Sequence, residues 1–420
     1  MDDIRLAVES VFRQESGRII ASLIRISGSF DRAEEAMQDA FLSALASWPE
    51  KGIPENPAAW IMTTAHRKLI DAVRRERTRN EKQDAIQYHA ANASLVEFEA
   101  AAMEFPDTQF PDDRLRLIFT CCHPALNAEA QVALTLRTLG GLSTPEIAKA
   151  FLVPETTLAQ RLVRAKRKIQ EARIPYRVPS ADRLPERLAA VQAVIYLVFN
   201  EGYAATSGTR LVREDLCGEA IRLGRLLCEL LPQQAENIGL LALMLLQDSR
   251  RNARVIDGKL VTLEDQDRSL WDRGAIAEGL ALVEQAVNLR HVGPYQLQAA
   301  IAALHAEAAS SAATDWAQIA ALYELLSDRN PSPVIVLNHA VAIAMGGRME
   351  EGLKRIDDLC SAPLDEYYLL HASRADLLRR LNRWPEAAAA YQRAVSLASN
   401  QLEIDFLLRR LRQVEALARP

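Results

Sequence analysis

Cysteine is scarce in this chain, with five residues in 420, at positions 121, 122, 217, 228 and 360. They are too few and too scattered for a disulfide framework and fit a reducing compartment. Aromatic residues make up only 6%, and β-branched runs are few, which favours helices packed on helices over sheets. No apolar run approaches the roughly 18 residues of a membrane span; the longest, Leu240 to Leu246, is far too short. The start, Met1-Asp2-Asp3, lacks the basic stretch and apolar core of an export signal, so a cytoplasmic location is expected. Lysine and arginine are missing altogether from 83–113, a stretch that holds seven acids. That composition marks a connector between domains.

What is present points to an all-α protein of two to four domains, given 420 residues of which 49% are apolar, with alanine and leucine abundant. The net charge of −5 is unevenly spread. Residues 60–82 hold seven Lys/Arg against three acids, and 155–173 hold six against two. Local fields of this kind, not the sum, decide whether a polyanion can be held.

The first basic stretch follows an acidic amphipathic one. Residues 4–27 read as a helix with Leu6, Val11, Phe12, Ile19, Ile20, Leu23 and Ile24 inward, broken near Gly28. Asp31 then stands as an N-cap, with Glu34 at capping-box spacing. Pro49, Gly52, Pro54 and Pro57 force a loop, after which a helix led by Trp60 begins. At about 100° per residue, Ile61, Ala65, Leu69, Ala72 and Val73 share one face. Trp60, Thr63, Thr64, Arg67, Asp71 and Arg74 share the other. An aromatic ring among cations suits single-stranded nucleic acid, because cations track phosphates while the ring stacks on unpaired bases. Alternatively, Trp60 packs under the Pro54–Pro57 loop and the arginines are a solvated face.

The second basic stretch carries a helix-turn-helix pattern. Ser143 or Thr144 caps a helix through Glu146, Ile147, Ala148 and Phe151; Leu152-Val153-Pro154 turns; and Glu155 opens a second helix. In that helix Leu158, Leu162, Ala165 and Ile169 form an apolar stripe. Thr156, Gln160, Arg164 and Arg167 lie opposite, with Arg161 and Lys168 beside them. A helix with an apolar floor and a basic, hydrogen-bonding roof is what a major-groove reader requires; the alternative is a basic surface helix. Cys121-Cys122-His123-Pro124 reads as a buried turn. It lacks a second ligand pair at zinc-finger spacing and any pointer to a base or oxyanion site, so no cofactor, metal or catalytic residue is expected.

The order of residues in both basic stretches resembles the extracytoplasmic-function sigma factors of bacterial RNA polymerase. Ala33, Glu34, Glu35, Gln38, Asp39, Phe41 and Leu42, followed by Ala59, Trp60, Leu69, Asp71, Arg74 and Arg75, match that family's region two. Glu146, Ile147, Ala148, Thr157, Leu158, Arg161, Leu162, Arg164, Ala165 and Lys166 match its region four. Two positions depart from it: His66-Arg67 stands where many members carry Arg-Asn, and Ala159 where many carry lysine.

The resemblance implies that Glu34, Glu35, Gln38, Asp39, Phe41 and Leu42 meet core RNA polymerase, on the β′ clamp helices beside β. It implies that Trp60, Thr64, Arg67, Asp71, Arg74 and Arg75 melt and read the minus-ten element of promoter DNA. The minus-thirty-five element falls to Thr156, Thr157, Gln160, Arg161, Arg164, Arg167 and Lys168. The domains expected are region two over 1–82, an acidic linker over 83–112 that threads the polymerase RNA channel, region four over 113–175, and a helical C-terminal regulatory domain over 176–420.

That last domain is longer than such factors need. Helices are expected over 183–203, 213–231, 235–249, 270–289 and 294–309. Val255 to Leu263 reads as a hairpin around Asp257-Gly258, followed by the charged run Glu264 to Arg268. This segment is either a solvated loop, a contact to the preceding domains, or a ligand site. Trp316–Tyr323 and Trp384–Tyr391 are offset by 68 residues, and Asn338, Ala340, Ile343 and Gly352 match Ser373, Ala375, Leu378 and Ala387 at 35. A period near 34 from about residue 315 resembles tetratricopeptide repeats, stacks that bind a peptide, a protein or a small molecule. One group of these sigma factors carries such an extension, and the whole chain looks like that group. The competing reading is a helix-turn-helix regulator with a sensor domain that never binds core polymerase; it leaves the acidic helix and the Trp60 helix unexplained.

Overall fold

The computed structural model describes residues 2–83, 113–151, 153–204, 212–360 and 364–418. The acidic connector lies outside the described residues apart from its two ends, Gln83 and Asp113. The fold is all-α, and among the described residues one short hairpin is the sole sheet. The chain divides into two compact units, Met1–Val194 and Ile195–Pro420.

The first unit opens with three long helices, α1 (Asp2–Ser27), α2 (Phe30–Lys51) and α3 (Pro57–Gln83), which pack on one another. Their core holds Ile19, Ile20, Leu23 and Ile24 from α1, Ala33, Ala40, Phe41 and Trp48 from α2, and Ile61, Ala65 and Leu69 from α3. Leu6, expected inward, is exposed. Val8, two residues on and therefore some 200° around the helix, carries the apolar stripe instead. The cap of α2 is Ser29, whose hydroxyl accepts from the Arg32 N–H, so Asp31 falls in the first turn and not at the N-cap. Asn56 caps α3 through the Ala59 N–H at 3.0 Å.

The same unit contains helices Asp113–Cys121, Ala128–Thr138, Thr144–Ala150 and Glu155–Glu171. They are tied to α1 by named contacts: Arg25 pairs with Asp113 at 2.9 Å, and the Tyr176 hydroxyl donates to the Ala21 carbonyl at 2.8 Å. Gly141 takes φ +65°, and a Cβ there would stand 2.8 Å from Ser16 Oγ, so only glycine lets this turn approach α1 so closely. Cys121 and Cys122 are buried, their sulfurs 3.3 Å from Thr138 Oγ1 and 3.6 Å from Thr135 Oγ1. Burial pushes both thiols up, Cys122 to about 12, so neither is available as a thiolate.

The second unit runs through helices Glu214–Leu230, Ala235–Asp248, Arg273–Asn288 and Pro294–Glu307, each within a few residues of the span read from periodicity. Strands Val255–Ile256 and Lys259–Leu260 pair antiparallel. Asp257 (φ +49°) and Gly258 (φ +68°) form the turn between them, both in the left-handed region that a two-residue hairpin needs. Six further helices follow: Trp316–Arg329, Pro333–Met345, Met349–Leu359, Tyr368–Arg380, Trp384–Leu397 and Gln401–Ala418. Consecutive helices pack together. Trp316 and Trp384 each open a helix, and the matched small residues Ala340, Gly352, Ala375 and Ala387 are buried where helices meet.

Candidate nucleic-acid and polymerase interface

The helix-turn-helix is built locally as its residues dictate. Ser143 Oγ and its own N–H both reach Glu146 Oε2, at 2.6 and 2.7 Å, and the Glu146 N–H returns a bond to Ser143 Oγ, a complete capping box. After the turn, the Glu155–Glu171 helix buries Leu158, Leu162, Ala165 and Ile169, the four residues of the expected stripe. Rotation then leaves Thr156, Thr157, Gln160, Arg164, Arg167 and Lys168 exposed. Gln160, Arg161, Arg164, Arg167 and Lys168 border an open groove of about 650 Å³ shared with the start of the Ala128–Thr138 helix. Arg161 is half-buried and held by Glu129 at 2.6 Å, while Arg167 pairs with Glu171 one turn on.

On α3 the polar face is likewise turned outward: Thr63, Arg67, Asp71, Arg74 and Arg75 are exposed and Thr64 is half-buried. Arg75 Nε donates to the Asp71 carbonyl at 3.2 Å. Trp60 differs from its expected place. It is half-buried, its ring edge-on to the buried Trp48 with centroids 5.5 Å apart, so it belongs partly to the core between α2 and α3 and presents the remainder outward. His66 is also drawn inward, its ring nitrogen 3.2 Å from Ser22 Oγ. Burial foremost, then the Arg25 charge, holds its pKa below the ordinary imidazole value.

The acidic helix α2 exposes Glu35, Gln38 and Leu42, with Asp39 half-buried. Phe41 is buried edge-on against Phe12 at 5.3 Å, so it fixes the helix and does not face outward. Glu34 is engaged within the unit: its Oε2 accepts from Lys166 Nζ at 2.7 Å, and Asp31 accepts from the same ammonium at 3.1 Å. This bond joins residues 132 positions apart, so no local spacing announced it.

Comparison with known proteins finds two sigma-70 domains, both within the first compact unit. Residues 11–79 match sigma-70 region 2, residues 116–169 match sigma-70 region 4, and residues 187–287 match a family of unknown function, DUF6596. An uncharacterized protein of Rhizobium meliloti, R00370, is 44% identical over 415 residues, covering 98% of this chain and 96% of the relative. The chain belongs to that protein's family. With region 2 and region 4 both present, the chain carries the sigma-70 domain pair of a sigma factor. The probable sigma factor SigI of Mycobacterium tuberculosis is 27% identical over 187 residues, 44% of this chain and 62% of that factor. The sigma factor SigK of Mycobacterium bovis is 25% identical over 165 residues, 39% of this chain and 84% of that factor. In this sigma chain no helix among the described residues is long and apolar enough to cross a membrane.

Proposed function

We propose that the chain binds core RNA polymerase through α2 and directs promoter recognition, DNA melting and transcription initiation, with the C-terminal unit regulating that activity. Glu34, Glu35, Gln38, Asp39 and Leu42 supply the surface for the β′ clamp helices, and Phe41 stiffens it from within. Arg161, Arg164 and Arg167, with Thr156, Thr157, Gln160 and Lys168, take the upstream element. Trp60, Thr64, Arg67, Asp71, Arg74 and Arg75 take the element that melts. The linker over 83–112 follows the polymerase RNA channel by its charge.

The observation that carries this reading is one unit bearing both sigma-type domains, with a polar, cation-bearing face turned outward on each of two helices. An ordinary helix-turn-helix regulator uses the second face and has no use for α2 or the Trp60 helix. The test is co-purification with core polymerase, followed by transcription in vitro from a promoter selected by the full chain. Specific transcripts that Arg164→Ala suppresses support the proposal; a protein that binds DNA but never core polymerase defeats it. Loss of one direct base contact costs about 1–3 kcal/mol, so Arg164→Ala should weaken promoter binding roughly fivefold or more.

A further inference from the structure

The second unit contains a cavity of about 290 Å³, room for roughly ten water molecules or an organic molecule of that bulk. Its wall combines the segment after the hairpin with side chains from five of the six C-terminal helices, among them Trp316, Val341, Met345, Tyr391 and Phe406. Apolar lining with a few convergent polar groups is the composition of a small-molecule site.

The charges in the wall are unequal. Three guanidiniums line it, Arg268, Arg380 and Arg410, against two carboxylates, Glu264 and Asp376. Both carboxylates are already committed: Asp376 to Arg379 and Arg380, and Glu264 to Arg380. Arg410 reaches Asp265 at 3.5 Å. Arg268 has no carboxylate partner among the described residues. Its guanidinium lies 4.4 Å over the Trp271 ring and donates to the His305 carbonyl at 2.5 Å. Its neighbours are further cations, Arg250 and Arg273. A half-buried cation without a carboxylate partner is costly. An anionic group in the cavity would offset it.

We propose that this cavity binds a small organic acid, its carboxylate held by Arg268 and its apolar body lying against Trp316, Val341 and Met345. A free inorganic anion would leave the apolar wall unused, and a neutral apolar molecule would leave Arg268 uncompensated. The site belongs to the second unit alone, so it does not depend on the sigma reading of the first.

The probe is 3-phenylpropionate, titrated calorimetrically into the full-length chain, with 3-phenylpropionamide and inorganic phosphate as comparisons. The carboxylate is expected to bind at least about tenfold more tightly than the amide, the contribution of one charge-assisted hydrogen bond, and more tightly than phosphate. Arg268→Gln should erase that preference while leaving the melting profile of the chain in place. The comparison of the two ligands on the unaltered chain stands by itself should the variant fold poorly. Equal affinity for acid and amide, tighter binding of phosphate, or no heat at millimolar ligand would each overturn the assignment. None of these outcomes touches polymerase binding, which is measured separately.

Discussion

His305 stands edge-on to Trp316, with ring centroids 5.2 Å apart. Burial first, then the charges of Arg250 and Arg268, pull its pKa down to about 4. Its unfolded value is near 6.5, so between the two the unfolded chain binds the extra proton. The stability that comes from keeping this ring neutral is therefore intact above pH ~6.5 and is lost as pH falls from there toward 4, by at most about 3 kcal/mol. Thermal melts between pH 7 and 4.5 should show the unaltered chain losing more stability than His305→Gln, since every other titrating group is common to both. Parallel losses would mean the imidazole is not held neutral. A second pair of side chains separates folding from function. Trp48 is 2% exposed, and Trp48→Ala is expected to cost about 3–5 kcal/mol in cavity and transfer free energy. Trp60 is half-buried, so Trp60→Ala should cost clearly less in chemical denaturation. On the proposed function, it should nevertheless abolish promoter melting, read by permanganate reactivity of the unpaired thymines. Normal melting by that variant would assign Trp60 to packing alone.

At the scale of helices, Lys166 joins the Glu155–Glu171 helix to α2, and its partner Glu34 is one of the residues proposed for polymerase. Both side chains are about 15% exposed, so the contact is largely removed from solvent and worth more than a surface pair. Within this arrangement, Glu34 cannot meet another protein without giving up Lys166. Lys166→Ala is accordingly expected to tighten core-polymerase binding a few-fold, the ~0.5–1 kcal/mol of a competing pair released, and Glu34→Gln to weaken it. Fluorescence anisotropy with labelled full-length chain measures both, and unchanged affinity in Lys166→Ala would show that the pair does not compete.

The same elements show what could be read from sequence. The Leu158, Leu162, Ala165, Ile169 stripe was legible because the helical period determines which residues of one helix share a face. So was the Asp257-Gly258 hairpin, because two consecutive positive φ values restrict the residue types. Trp60 falls between its two readings, partly packed and partly outward, because a wheel for one helix takes no account of Trp48 on the next. The Lys166–Glu34 bond was illegible because it joins segments far apart in sequence, which no local period reports; the segment ending at Arg268 was readable as one candidate ligand site, but the distant helices that line its cavity were not.

For the whole molecule, the informative cut lies further along than residue 175, the end expected for region four. Tyr176 is half-buried, bonded to the Ala21 and Asp113 carbonyls, and Arg187 donates to the Phe119 carbonyl at 2.5 Å. Leu188, Val191 and Val194 are buried, and the first compact unit closes at Val194. A chain ending at Ile174 loses all of these partners, each lost hydrogen bond costing about 0.5–1.5 kcal/mol. It is therefore expected to melt well below a chain ending at Val194, in a calorimetric comparison of the two. With the stable fragment in hand, the role of the second unit becomes measurable, since a tethered domain acts on its neighbour at high effective concentration. Residues 1–194 should still bind core polymerase and yield specific transcripts, but at a level different from the full chain under matched concentrations. More transcript from the fragment would make the second unit a restraint, and less would make it a requirement. Equal transcript from both would remove any regulatory role and leave the second unit as a binding domain that merely travels with the polymerase.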